Sequence, residues 1–508
     1  MKPKKSKYNA DIPFNDGSYQ VIVDGGSKFN SSSTISKSSF FENNTNPSST
    51  HLPSLCLVNG TIENIHKQLD IQGFDTLDID QVFSSLPLFK DVYKIKIPNK
   101  VYRALERYYK QENLEKVHSD KLTAIELCLL FLTNLNDTYY RSQKNCIFGE
   151  QGWKTLYSKI LQNQLMHTDR TYLDIIECLQ QTTKKGAIIE RSSNYDPVAH
   201  YSYKYRLTDA YRNKGWSNYT LTTEVAKKLQ KRIYLHKFKQ AMENPIAKNL
   251  ISIYPFIELP TSEQIKTKAK ELVKAEHHSK KGKKLVFRNK HADSYFKNPE
   301  ELSFVEDDMQ LWNDLFENGE INLIPMVTGE NNGGRVVDGF TLAPSWIRNM
   351  IKINGQTLEE LDYSALHPNI AAHLYDGKMK YITHDKVAEE TGLDKKEVKK
   401  EHLSFFNKEV SHMSLSPLFE YYNKKDRNMV TKIINDKFIT ERKHKITSQK
   451  MFKKEVEIMS DVIQILNNEG IYVVYIYDAL MCEPEFRERV LQVMNDVVIK
   501  HGVYTTAK

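Results

Sequence analysis

At 508 residues the chain is longer than one hydrophobic core normally serves, so two or three domains are expected. Its 40% hydrophobic and 27% charged residues are a globular composition, and a net charge of +8, from 72 basic and 64 acidic residues, has the sign of a protein that holds a polyanion without establishing one. Cys56, Cys128, Cys146, Cys178 and Cys482 form no Cys-x-x-Cys pair, no apolar run approaches about 18 residues, and Met1-Lys-Pro-Lys-Lys opens without an apolar stretch. These features argue against a zinc ribbon, a membrane span and a secretory signal; a reducing, cytoplasmic setting is expected.

Residues 1–52 are rich in Ser, Asn, Gly and Lys, with Ser31-Ser-Ser-Thr and Asn43-Asn-Thr-Asn-Pro as low-complexity tracts, and read as a disordered tail. Residues 53–215 read as a mostly helical region. Ala124, Leu127, Leu130 and Phe131 suit one helix, Trp153, Leu156 and Ile160 a second, and Thr171 to Leu179 a third. Two short strands then flank a loop from Asn194 to Ser202. Three helices followed by a hairpin resemble the helix-then-wing half of winged-helix proteins, which implies nucleic-acid contact with Lys184, Lys185, Arg191, Lys204 and Arg206 reaching phosphates. Protein docking is the other use of such a module, with those cations merely solvated.

Residues 216–325 read as a basic helical thumb or connector. Helical spacing runs from Leu221 to Met242, and Ile265 to Lys297 carries Lys280, Lys281, Lys283 and Lys284 among many cations, an electrostatic footprint for a phosphate backbone or else a solvated face. His277-His278 point apart on a helix and have no further ligands at suitable spacing, so no metal is assigned to them. Asp307 to Asn322 reads as a helix with Met309, Leu311, Trp312 and Leu315 on its apolar face.

The most informative region is 326–508. Gly329-Glu-Asn-Asn-Gly-Gly-Arg335 is a flexible loop ending in a cation, without the Lys-Ser/Thr of a P-loop. Asn354-Gly355 between two apolar runs signals a hairpin, so the strand leading to Asp362 is expected to pair with its predecessor. Thr357 to Asp362 reads as that strand, ending on a carboxylate and turning into a helix that carries Pro368, Ile370, Ala371 and Leu374 and stops by Gly377. Gly470 to Pro484 is a second apolar run interrupted by one acid, Asp478, at or near a hairpin tip. An Asp at a strand end is most often a cap or turn residue. Two of them, each flanked by apolar strand, could together carry two Mg2+ ions, with Mn2+ as a substitute.

Taken in order, Gly333-Gly-Arg-Val-Val, Ile347-Arg-Asn-Met-Ile-Lys-Ile-Asn-Gly, Leu361-Asp-Tyr-Ser-Ala-Leu-His-Pro-Asn-Ile-Ala-Ala-His-Leu374 and Tyr477-Asp-Ala479 resemble the palm of family-A DNA polymerases. The resemblance covers roughly residues 325 to 505. It implies an α+β fold: a right-hand polymerase palm with an antiparallel sheet and helical fingers. Asp362 and Asp478 would be the catalytic, metal-binding carboxylates, with the main-chain carbonyl of Tyr363 completing a metal's shell and Arg335 near the primer-template duplex or the edge of the site. Arg335 could alternatively anchor its loop through a carboxylate. Two departures stand out. Ala479 replaces the family's Glu, as in the related single-subunit, phage-type RNA polymerases, and His367 stands where the DNA polymerases carry a Glu that helps exclude ribonucleotides.

The fingers must lie between the two acids. There, Lys395-Lys-Glu-Val-Lys-Lys can set Lys396 with Lys400, or Lys395 with Lys399, on one helical face to grip a triphosphate. The sequence does not choose the register, and exposed lysines are commonly just solvated. The expected activity is template-directed nucleotidyl transfer by a DNA polymerase acting on a DNA primer-template or single strand with dNTPs. The alternatives are a primase-like or phage-type RNA polymerase using NTPs, with RNA as a further template, and a non-catalytic replication-initiator or defence protein with a degenerate palm.

Overall fold

Buried apolar side chains sort the chain into two large cores. A computed structural model describes residues 92–136, 153–165, 171–193, 202–212, 214–279, 282–288, 301–317, 320–321, 324–440 and 443–508; the expected tail at 1–52 and Lys280 and Lys281 lie outside them. One core draws on residues 95–229; the other takes Val92 and residues 235–507, with a small satellite of Ala269, Leu285 and Val305. The class is α+β, with many helices and small sheets that are antiparallel except for one parallel pair.

In the first unit β1 (Lys94–Pro98) leads into α1 (Val101–Tyr108), α2 (Gln111–Val117) and α3 (Lys121–Thr133). Ten consecutive residues of α3, from Thr123 to Leu132, are buried, so this helix has no solvent face in its middle and is the unit's axis. Around it stand β2 (Lys154–Thr155), α4 (Ser158–Leu165), α5 (Thr171–Gln180), β3 (Ile189–Arg191) and β4 (Lys204–Leu207). The expected second helix starts later than Trp153. Lys154–Thr155 instead pairs with β4, giving a three-stranded sheet of order β2-β4-β3, and the Arg206 guanidinium lies 4.5 Å above the Trp153 ring. β5 (Trp216–Thr220) returns to pair with β1.

α6 (Glu224–Met242) joins the units, giving Ala226 and Leu229 to the first core and Leu235, Phe238, Ala241 and Met242 to the second. α7 (Pro245–Ile253) starts with an Asn244 cap and Pro at its first position. Its fully buried Asn249 donates to Val473 O at 2.6 Å and accepts from Val473 N at 3.2 Å, pinning the approach to the Asp478 hairpin. α8 (Ser262–Lys274) carries the basic stretch to β6 (Lys284–Val286), which runs parallel to β7 (Leu302–Phe304). α9 (Val305–Leu315) ends earlier than its apolar spacing suggests: Phe316 turns extended and packs its ring against Gly339, Trp312 and Phe340.

Asn354-Gly355 does form a hairpin, with both residues at positive φ (52° and 75°), but its strands pair with each other and with Ile257–Glu258. The strand that ends on Asp362, β8 (Glu359–Asp362), does not pair with this predecessor. Its partner lies far along the chain, beyond α10 (Leu366–Leu374), α11 (His384–Thr391), α12 (Lys395–Phe405), α13 (Pro417–Lys425), α14 (Arg427–Ile439) and α15 (Ile446–Asn468). After these come β9 (Val474–Ile476) and β10 (Ala479–Cys482), and the sheet order is β8-β10-β9. α16 (Arg487–Lys500) packs on α15, and residues 503–508 then run back beside β8. Among the described residues no helix is long and apolar enough to cross a membrane.

Candidate active site

Strand register brings the two expected acids together. Asp362 is opposite Ala479, the residue after Asp478, and Ile476 is opposite Ala479 on the other side, which leaves Tyr477 and Asp478 as a two-residue turn. Tyr477 has φ 59°, a conformation costly for a bulky aromatic, and such strain persists only where the surroundings enforce it. Here its ring packs against Tyr475 and lies 4.9 Å from the Arg335 guanidinium. Asp362 is exposed and Asp478 half-buried.

The residue after Asp362 is inverted relative to it. The Tyr363 side chain is buried and its hydroxyl donates to Met494 O at 2.7 Å, while Asp362 and Ser364 make the backbone hydrogen bonds to the 503–508 strand. Alternation in an antiparallel ladder turns the N–H and C=O of Tyr363 to the other side, that of the Tyr477–Asp478 turn. Two carboxylates and one carbonyl are hard oxygen donors, the chemistry Mg2+ prefers, so the donor set fits this ion.

Behind Asp478 lies a buried charge cluster. Arg335 Nε donates to Glu455 Oε1 at 2.8 Å, its Nη2 donates to Oε2, and the guanidinium stacks 3.6 Å from the Phe452 ring. His367 Nε2 lies 2.7 Å from Glu455 Oε2 and 3.3 Å from Arg335 Nη2. The carboxylate only accepts, so the 2.7 Å approach to Glu455 has Nε2 as donor, and its 3.3 Å approach to Arg335 Nη2, a donor as well, is then a contact and not a hydrogen bond. Burial would raise the Glu455 pKa, yet Arg335 and His367 outweigh it and hold the carboxyl at about 2. Burial likewise opposes the charge on Arg335, and Glu455 more than restores it. Asp478 keeps the opposite balance. Burial and then the negative charge of Glu455 push its pKa up, against the pull of His367 and Arg335. Its carboxylate thus gains from a further cation, as a metal-ligating acid does.

The loop that delivers Arg335 is clamped. A Cβ on Gly333, at φ 68°, would stand 2.5 Å from Lys453 N and 2.6 Å from Phe452 atoms, so the loop rests on the α15 backbone where only glycine fits. The expected flexible loop is therefore a fitted one, and Arg335 serves the buried carboxylate.

The remaining expected residues lie apart from this cluster. On α12, Lys396, Lys399 and Lys400 are all exposed. Burial lowers the His384 pKa to about 4, and Lys399, Lys395 and Lys508 add to the effect against the pull of Asp385. The His384 Nδ1–His402 Nδ1 approach of 2.9 Å and the Lys395–Asp385 pair turn the Lys395–Lys399 face of α12, and not the Lys396–Lys400 face, toward α11. Lys395 is bound to Asp385 at 2.5 Å, while Lys399 has no carboxylate partner among the described residues. In the first unit, Lys184 and Lys185 are exposed on the turn after α5, and Lys204 and Arg206 share one face of β4. Arg206 pairs with Glu190 at 2.7 Å, and Arg191 lies 4.7 Å over the Tyr203 ring. In the basic stretch, Lys283 is half-buried and Lys284 pairs with Glu276.

Apolar spacing places Phe452 on the inner side of α15, but Glu455 escapes such a reading. The signal was nonetheless present: Glu455 is a lone acid on the stripe of Met451, Ile458, Met459, Val462, Ile463 and Leu466. No protein-family model matches the chain, and no curated protein matches it.

Proposed function

We propose that this chain is a template-directed nucleotidyltransferase that adds dNTPs to a primer 3′ end, with Asp362, Asp478 and the Tyr363 carbonyl holding two Mg2+ ions. The observation that carries the reading is the convergence of two acids, far apart in sequence, at the ends of adjacent strands. In this reading β8, β9, β10, α10, α15 and α16 form the palm of a right-hand polymerase and α11 to α14 the fingers. The first unit is then a winged-helix-like module for DNA. When bound, such ions lower the pKa of an attacking hydroxyl and neutralise the leaving phosphates. The protein's own contribution is positioning. Asp362 and Asp478 fix the reacting oxygens from two rigid strands. Arg335, His367 and Glu455 hold the floor beneath Asp478, and Lys399 is the cation available to a triphosphate.

Extension of a labelled primer on a DNA template, with dNTPs and NTPs in parallel and Asp362→Ala as control, tests the reading. Extension by dNTPs that vanishes in the variant supports it. Synthesis with NTPs alone moves the assignment to a primase or RNA polymerase. DNA binding without synthesis from either pool overturns the catalytic role.

A further inference from the structure

The strand at residues 503–508 alternates: Val503, Thr505 and Ala507 are buried, whereas Thr506 and Lys508 are exposed and Tyr504 half-buried. Its register against β8 is fixed by hydrogen bonds from Asp362 N to Lys508 O, Lys508 N to Asp362 O and Ser364 N to Thr506 O, and by the Tyr363–Ala507 bridge. Directly opposed residues share a sheet face. Lys508 is therefore on the face that carries Asp362, followed by Thr506 beside Ser364 and then Tyr504. From Lys508 to Tyr504 the strand spans about 13 Å, the length of about four stacked nucleotides.

At the far end of this row is an aromatic platform. Tyr381 is 50% exposed, an unusual position for so large a ring, and its N–H donates to Tyr504 O at 3.2 Å. Its φ of 52° is a conformation that L side chains rarely adopt. The buried Asn369 of α10 enforces it, accepting from Ile382 N at 2.9 Å and donating to Ile382 O at 2.8 Å. The Tyr381 and Tyr504 rings meet edge to face at 5.9 Å, and Lys380 Nζ covers the Tyr504 ring at 4.0 Å. Neither aromatic is in the large apolar core. A strained, half-exposed tyrosine beside Lys380, at the end of a row that carries Thr506 and Lys508, has the composition of a surface that stacks bases and tracks phosphates.

We propose that Lys380, Tyr381, Tyr504, Thr506 and Lys508 form a track for single-stranded nucleic acid that leads to Asp362: the tyrosines stack a base and the lysines take phosphates. The proposal rests on the polymerase reading, but it is tested by binding alone. A short fluorescein-labelled oligo(dT), with oligo(U) as a parallel arm, is titrated with the full chain and followed by anisotropy. Tyr381→Ala with Tyr504→Ala is expected to weaken binding roughly 5- to 150-fold, and Tyr381→Phe with Tyr504→Phe to retain it. Lys508→Gln, whose side chain is exposed and leaves the packing untouched, is expected to flatten the salt dependence of log K by about 0.7. An unchanged salt slope in Lys508→Gln, or an unchanged affinity in a folded double-alanine protein, overturns the track. So does a wild-type chain that binds neither oligonucleotide. Wild-type binding that falls in the variants, without any primer extension, keeps the track and removes the polymerase. Primer extension that is normal while the variants bind normally does the reverse.

Discussion

Among the described residues two glutamates, one in each core, are completely buried, and they are held in opposite ways. Glu126 of α3 accepts from Tyr219 Oη at 2.9 Å, Thr222 N at 2.7 Å, Thr222 Oγ1 at 2.8 Å and Thr223 N at 2.9 Å, and also from Thr223 Oγ1; every donor is neutral. Glu455 is held by the Arg335 cation and by His367. Both carboxyls titrate below their ordinary range against the burial that would raise them. Neutral dipoles fasten the Glu126 charge to the loop that starts α6 and make a structural knot. A cation, by contrast, projects a field past its partner, and the acid that feels it together with Glu455 is Asp478. For these two glutamates, being held by charges or by neutral dipoles separates the one beside Asp478 from the one in the frame.

The sharpest way to break this comparison is to ask which carboxylates matter for turnover. Asp362→Ala and Asp478→Ala are each expected to slow nucleotide addition by about a thousandfold or more, with a cooperative melting transition retained at a Tm no lower than a few degrees below the wild type. Rates unchanged in both variants would remove the site.

Next in size is stability. Glu455→Ala leaves Arg335 buried and unpaired, which should cost about 3–5 kcal/mol in urea unfolding. Arg335→Met combined with Glu455→Leu should recover most of it, because apolar residues of similar volume replace a buried ion pair well. At Glu126 no such rescue by a single second substitution is expected, since its donors lie on Tyr219, Thr222 and Thr223 and two of them are backbone N–H groups. The pH dependence has a definite sign. A carboxyl lowered from 4.5 to about 2 contributes stability that is complete above pH about 4.5 and is lost as the pH falls toward 2. Glu455→Gln should flatten acid unfolding across that window.

The parts legible in the sequence were those with local signals. The Asn354-Gly355 turn, the strand ending on Asp362 and the apolar run broken by Asp478 all announce themselves through neighbouring residues. Pairing partners did not: β8 joins β10 across the whole run from α10 to α15, and no periodicity encodes that choice. Glu126 and Glu455 were hidden for the same reason. Helical spacing identifies which residues face inward, but the donors that make an inward acid tolerable lie 93 to 97 residues away for Glu126 and 88 and 120 for Glu455.

Cations that serve no carboxylate form a third class, and α12 tests it. Lys399→Ala should raise the apparent KM for nucleotide about tenfold, the loss of one charge-assisted contact, whereas Lys396→Ala and Lys400→Ala should change it by less than about twofold. Equal effects at all three would mean that the face toward α11 has no special role.

The smallest effect has the most informative sign. Asp478 has its pKa raised from 3.8, so the folded state binds a proton more tightly than the unfolded chain does. Stability then falls as the pH rises from 3.8 through the folded value, so above that window the acid is a net burden on the fold. Asp478→Asn keeps the shape and removes the charge. It should raise Tm by about 2–4 °C at neutral pH in the absence of divalent ions, with the gain vanishing below pH 3.8, where the unfolded carboxyl is also protonated. Adding Mg2+ should narrow the difference by stabilising only the wild-type protein. A neutral or destabilising substitution would mean that Asp478 is held as comfortably as Glu126, and the distinction between the two cores would then rest on geometry alone.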